Sequence, residues 1–149
     1  FQCARFRVAP CLAGPDRSVS IIYVEDLVDG ILTAALSPRA VGQTYFLANP
    51  EPVVWREFCL RVARVMGYRA VPVPIPLAAM KLAARAGDLV GKVSGAATLF
   101  RSEKLEEMKQ IAWVCSAEKA LRELNWQAAT PLDEAIAKTA EWYKTHGWI

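Results

Sequence analysis

The sequence predicts an α/β chain, α+β if taken in isolation, in which helices predominate and two or three short strands fall in the first half. Three observations carry this. Residues 19–24 form a β-branched run that ends at the acidic pair Glu25 and Asp26. Apolar residues recur at three- and four-residue spacing over 55–66 and again over 132–143. After Pro52 one helical pattern follows another with too few strands between them for a complete alternating β-α-β array.

Taken in order, residues 1–17 contain Pro10, Gly14 and Pro15 without a sustained period, which predicts an arm or loop lying against something else. The run 19–24 predicts a strand. Glu25 and Asp26 suit the unpaired N–H groups of a helix start, and Ser37-Pro38 stops that helix near Leu36. A second strand is expected over 43–48, closed by the turn residues Asn49, Pro50, Glu51 and Pro52. From Trp55 the residues Phe58, Cys59, Val62, Val65 and Met66 share a helical face, and Gly67 ends it. Residues 71–76 alternate Val or Ile with Pro, which permits only an extended edge piece or a loop, because proline lacks a ladder donor.

Over 77–93 the charges Lys81, Arg85, Asp88 and Lys92 fall on a single stripe, which predicts a helix with one wet face or a hydrophobic wall for a substrate. Two shorter helices are expected over 102–111 and 116–124, with Ser102 and Ser116 as caps. Thr130-Pro131-Leu132-Asp133 predicts the clearest helix start, with threonine as cap and proline at the first helical position. Gly147 ends that helix.

Composition excludes several classes. At 149 residues the chain fits one domain and could bury roughly 70% of its unfolded surface, so a sizeable core is expected. The net charge is only +3, with basic and acidic residues interleaved, which gives nucleic acid no electrostatic footprint. Cys3, Cys11, Cys59 and Cys115 lack Cys-x-x-Cys spacing, and His146 is the only histidine, so no metal site is expected. The thiols read as reduced, cytoplasmic ones packed as small apolar groups. Charges interrupt the most apolar stretch, so no membrane span is expected. The chain opens on Phe1 rather than Met, which leads us to expect coding sequence ahead of it.

Catalytic candidates are few. Gly87, Gly91 and Gly95 fit neither the Gly-x-Gly-x-x-Gly turn nor a P-loop. His146 lies at the chain end, and the neighbouring carboxylates Glu25/Asp26 and Glu106/Glu107 point about 100° apart on a helix rather than into one site. The aromatic residues Trp113, Trp126, Trp142, Tyr143 and Trp148 are expected to pack between helices rather than to form a stacking platform.

Several pieces resemble the extended short-chain dehydrogenase/reductases, in the epimerase/dehydratase and dihydroflavonol-reductase or hydroxysteroid-dehydrogenase-like branch. Ser20-Ile21-Ile22-Tyr23-Val24-Glu25-Asp26-Leu27-Val28 is similar to the family's strand and acid-capped helix, and Gly42-Gln43-Thr44-Tyr45-Phe46-Leu47-Ala48 to its last Rossmann strand. Trp55-Arg56-Glu57-Phe58 through Met66-Gly67 resembles the helix that follows. Lys119-Ala120-Leu121-Arg122-Glu123-Leu124 and the Trp142-Tyr143 helix resemble the family's ending. Val54 stands where a serine or threonine cap is usual, and Asn125 where glycine is usual. The family's Tyr-x-x-x-Lys dyad is missing, since Tyr23, Tyr45, Tyr68 and Tyr143 are followed at that spacing by Leu27, Asn49, Pro72 and Gly147.

The resemblance implies a helix-rich, partial Rossmann-like carboxy-terminal segment without the amino-terminal dinucleotide-binding sheet. Residues 1–18 would be an arm, 19–76 the last strands and helices of the core, and 77–149 a helical substrate-side region, in one domain or fragment. It implies no catalytic residue and no cofactor in this chain alone, with NAD or NADP serving the full-length enzyme. Arg17, Tyr23, Pro74, Met80 and Lys81 are the positions it places nearest a substrate. The apolar 77–93 helix and the 102–113 span tilt the expected substrate towards a hydrophobic, lipid-like molecule. The competing reading is a stand-alone binding or interaction module derived from that family. In either case the edge of strand 43–48 would be open, which predicts a homodimer, with exchanged elements as one form of it.

Overall fold

The computed structural model describes residues 1–94 and 102–149, with side chains described for 1–87 and 105–149. The opening segment is not a loop. Gln2–Arg5 forms a one-turn helix, α1, and Val8–Leu12 a strand, β1. Its partner is Val71–Ile75, β4, in parallel register from Val8 opposite Val71 to Leu12 opposite Ile75. The tertiary pairing with β4 overrides a local sequence too irregular to announce a strand. Val71 N–H donates to Arg7 C=O at 3.0 Å and Ala13 N–H to Ile75 C=O at 2.9 Å. Because successive residues of a strand face opposite edges, Pro10, Pro72 and Pro74 fall at positions whose missing N–H would point away from this ladder.

The second sheet is built from two-residue pieces. Ser18–Val19, β2, lies between antiparallel Val53–Val54, β3, and parallel Ala112–Trp113, β5. The described residues thus hold five strands where two or three were expected; of the unexpected ones, β3 and β5 are too short to leave a period in the sequence. The strand expected over 19–24 stops at Val19, and the helix α2, Val24–Leu36, begins where its acidic first turn predicts. No strand forms over 43–48. Asn49 N–H reaches Ile21 C=O at 2.8 Å, yet no ladder follows, because strand geometry needs a neighbour on which to pair.

Helix α3, Trp55–Val65, and helix α7, Leu132–Thr145, end as their glycines predict. Gly67 at φ 82° and Gly147 at φ 70° let the next residues fold back, Tyr68 N–H onto Ala63 C=O and Trp148 N–H onto Tyr143 C=O, each at 2.8 Å. Helices α4, Leu77–Ser94, and α5, Ser102–Lys109, pack on each other, and α6, Glu118–Leu124, ends at Asn125 with φ 53°. Asparagine tolerates that left-handed conformation, so the missing glycine is accommodated. The Ser116 hydroxyl accepts from Glu118 N–H at 3.2 Å, close to its expected capping role. The side chains of Ser102, Asp88 and Lys92, and residue Gly95, lie outside the described residues.

Among the described residues the buried apolar side chains gather in two small clusters. Ala4, Val62, Ala63 and Ile136 unite α1, α3 and α7, while Met80, Ala84 and Leu105 unite α4 and α5, with Leu12, Ile75 and Met108 against them. No large side chain among the described residues is fully buried. Conversely, Val24, Val28, Ile31, Leu32 and Leu36 run along α2 at helical spacing and are exposed, Leu36 to 83%. The face that α2 turns inward is narrow, centred on Asp26 and Gly30. A Cβ on Gly30 would sit 2.8 Å from Leu47 Cδ1 and from Trp126 Cε2, so glycine is what lets the indole lie against the helix.

Candidate functional site

Segment 20–23 runs from β2 into α2, and Asn49 is tied to it through the Ile21 carbonyl. Where α7 passes this segment a hollow of about 1010 Å³ opens, lined by Ile21, Ile22, Tyr23, Leu132, Ile136 and Trp142. Most of that wall is hydrocarbon. A second hollow of about 950 Å³ lies beyond Asn49, Phe58 and Leu132, which border both, and its wall carries Glu57, Arg61, Arg64 and Asp133. Asn49 Oδ1 is buried without a hydrogen-bond partner. The sequence marked Asn49 only as a turn residue before Pro50, and that local signal says nothing of its side-chain oxygen.

The five residues placed nearest a substrate fall in two places. Arg17 Nε donates to Met108 C=O at 3.0 Å, and its Nη1 donates to Pro15 C=O at 2.9 Å and Leu12 C=O at 3.3 Å. Met80 is 5% exposed in the cluster that Leu12 and Met108 cover, so the structure brings Arg17 and Met80 to the same neighbourhood. Pro74, exposed on β4 opposite Cys11, and Lys81, exposed on α4 beside Met80, lie on the elements that flank it. Arg17 is engaged in tying backbone carbonyls together, and Met80 is core. Tyr23 stands apart from these four, in the wall of the larger hollow.

The electrostatics set Tyr23 apart from a proton-transferring tyrosine. Burial, and then the Glu25 carboxylate, push its phenol above the ordinary tyrosine value, with Lys138 Nζ 5.7 Å from the ring centre acting weakly the other way. Tyr45 is also raised, by burial and by its 2.9 Å hydrogen bond to Glu123. Both phenols stay protonated at neutral pH, whereas a dyad lysine would pull in the opposite direction.

The Cys59 thiol is pushed up to about 11, chiefly by burial, which makes it a poor nucleophile. The Cys3 side chain is exposed rather than packed. His146 stacks on Trp142 with ring centres 4.1 Å apart, and its Nδ1 lies 2.8 Å from Trp142 C=O at the helix end. Phe1, Tyr143, Trp142 and Trp148 pack on one another around that end. Among the described residues no three His, Cys, Asp or Glu side chains cluster as metal ligands, and no helix is long and apolar enough to cross a membrane.

No family model matches the chain. It is 28% identical over 142 residues to short-chain dehydrogenase/reductase family 42E member 1 of Homo sapiens, a match that covers 89% of this chain and 35% of that protein. It is 29% identical over 110 residues to 3beta-hydroxysteroid-dehydrogenase/decarboxylase isoform 2 of Arabidopsis thaliana, covering 71% of this chain and 19% of that one. The chain thus spans about a third, or less, of the length of these curated relatives. Among solved structures, UDP-glucose 4-epimerase of Thermotoga maritima superposes with a TM-score of 0.63 at 14% identity, over 97% of this chain and 37% of the epimerase. The terminal R domain of the myxalamid biosynthetic pathway superposes with a TM-score of 0.62 at 18% identity, over 99% of this chain and 37% of that domain. In sequence the chain is similar to part of these short-chain dehydrogenase/reductase and hydroxysteroid-dehydrogenase relatives, and its fold is similar to part of the two solved structures.

Proposed function

We propose that the chain is the substrate-binding, carboxy-terminal portion of an NAD(P)-dependent epimerase/dehydratase or reductase and is not catalytic by itself. One observation carries the reading. A fold that superposes over nearly the whole chain covers little more than a third of each neighbour, and the sequence lacks both Tyr-x-x-x-Lys and Gly-x-Gly-x-x-Gly. The exposed apolar stripe of α2 and the unladdered segment 43–48 with its exposed Phe46 support it, since they are the surfaces a dinucleotide-binding half would cover. The residues of this chain do not fit a nicotinamide dinucleotide: no glycine-rich turn is present to let backbone approach a pyrophosphate. Hydride chemistry belongs in this reading to the other half, and this chain contributes the far wall of the substrate cleft, with a hydrophobic, lipid-like molecule as substrate.

Two measurements test this. Reading the frame ahead of Phe1 should reveal the glycine-rich fingerprint and the dyad. The chain alone should leave NAD(P)H fluorescence unchanged, while the protein including that upstream half should interconvert an apolar alcohol and ketone. A start codon directly ahead of Phe1, or tight NAD(P)H binding by the chain alone, would replace this reading with the stand-alone module.

A further inference from the structure

We propose that the turn between α1 and β1, together with the start of β4, docks on an anionic lipid surface, with Phe6 entering the layer among Arg5, Arg7 and Arg69. Charges alternate along most of the chain, but residues 1–15 and 65–87 hold Arg5, Arg7, Arg69, Lys81 and Arg85 and no Asp or Glu. Three of those cations come together at one end of the β1–β4 ladder. Val71 N–H donates to Arg7 C=O at 3.0 Å, which sets Arg69, two residues ahead of Val71, beside the turn that carries Arg5 and Arg7. All three are exposed, and among the described residues none of them has an ion-pair partner. Between Arg5 and Arg7 stands Phe6, 80% exposed, and Val71 beside them is 65% exposed.

The turn is firmly held. Arg7 N–H closes onto Ala4 C=O at 2.9 Å and the Arg7 carbonyl is taken by Val71, which keeps Arg7 at φ 58°, a left-handed conformation that a residue with a Cβ seldom adopts. Ala4 anchors α1 from beneath, buried against Val62 and Ala63 of α3. A strained, fixed backbone therefore holds an aromatic ring in water, against the apolar preference of the ring. An anionic bilayer supplies both missing partners, phosphate groups for the guanidinium forks and hydrocarbon just beneath them for the ring. An acidic protein surface would answer the arginines but offers no apolar layer to a lone projecting ring. The carboxylates of α5 do not neutralise this end: Met108 on α5 packs against Leu12 and Ile75, at the far end of a ladder about 13 Å long. The other exposed apolar surface, on α2, carries Glu25 and Asp29 and is not suited to an anionic layer. Docking of this kind goes beyond the proposed function and holds whether or not a catalytic half precedes Phe1.

The test is co-sedimentation of the 149-residue chain with extruded vesicles, pure phosphatidylcholine against phosphatidylcholine carrying phosphatidylserine. The chain should partition onto the anionic vesicles about tenfold more strongly than onto the neutral ones, and come off as salt is raised. Arg5→Gln, Arg7→Gln and Arg69→Gln should each weaken that binding about fivefold, and Phe6→Ala about tenfold. Arg122→Gln, an exposed cation on α6, should leave it unchanged. All of these side chains are exposed, so circular dichroism should report the same fold in every variant. Equal partition onto the two vesicles, no binding to either, or binding indifferent to Phe6→Ala would overturn the proposal. Retention on immobilised poly-glutamate as firm as on the anionic vesicles, with no loss in Phe6→Ala, would overturn it in favour of an acidic protein partner.

Discussion

The carboxylate of Asp26, in the first turn of α2, accepts a 2.9 Å hydrogen bond from the hydroxyl of Thr130, just ahead of α7. The same carboxylate takes the backbone N–H of Thr130 at 3.2 Å and of Ala129 at 3.4 Å. Thr130 therefore does not cap its own helix as its sequence suggests; it joins the starts of two helices 104 residues apart. Asp26→Ala strands three donors at a residue only 9% exposed. It should cost about 2–3 kcal/mol in urea unfolding, and Asp26→Asn, which keeps an acceptor, less.

Gly30→Ala should destabilise despite alanine's better helix propensity. Overpacking against Leu47 and the Trp126 indole costs about 1–3 kcal/mol, against a propensity gain of about 1 kcal/mol. The indole N–H also donates to Asp29 at 3.0 Å, so the ring cannot swing clear without losing that bond. A lower Tm with shifted tryptophan emission is the expected result; an unchanged Tm would mean the ring moves freely.

The Arg61–Asp133 pair joins α3 to the start of α7 and has a pH signature of known sign. The guanidinium's hydrogen bond holds the Asp133 carboxyl below the ordinary aspartate value, so the folded state binds that proton less tightly than the unfolded chain does. Its contribution is present above the unfolded value of about 3.9 and is lost as pH falls through the depressed folded value. Both groups are largely exposed, so the effect is small. The stability difference between wild type and Asp133→Asn should be detectable near neutral pH and vanish at about pH 2.

Thiol labelling should separate the cysteines. With its thiol at about 11, Cys59 is thiolate to roughly one part in a thousand at about pH 8, and it is half-buried as well. Iodoacetamide followed by peptide mapping should modify exposed Cys3 first and Cys59 last. Denaturant should abolish the order.

The apolar stripe of α2 should drive self-association when nothing else covers it. Light scattering of the chain alone is expected to show a dimer, and Ile31→Lys with Leu36→Glu should return it to monomer. A wild-type monomer at high concentration would remove the expectation.

The longer helices were legible in the sequence because each leaves a run of apolar positions, and some end in residues with a backbone reason to be there, as Gly67 and Gly147 do; the one-turn α1 is too short to leave such a run. Strands were less so. β3 and β5 are two residues each, and β1 exists because β4 lies beside it, a relation between positions about 63 residues apart that no local window contains. The segment 43–48 errs in the other direction, with strand-forming residues but no neighbour to complete a ladder. Of the residues named from the sequence as nearest a substrate, Tyr23 lines a hollow, Arg17 binds backbone carbonyls and Met80 packs in an apolar cluster, placements that no local window of sequence contains. Asn49 was missed because an orphaned oxygen is a property of three-dimensional surroundings.

The three prolines of the β1–β4 ladder have a consequence for assembly. Pro10 faces outward on one rim and Pro72 and Pro74 on the other, so an incoming strand at either rim would meet gaps where donors should be. With one donor missing on the β1 rim and two on the β4 rim, this small sheet is a poor template for a third strand from another copy or for a growing fibril. Strand addition at this sheet is thus disfavoured, whereas the exposed apolar residues of α2 and Phe46 carry no such block.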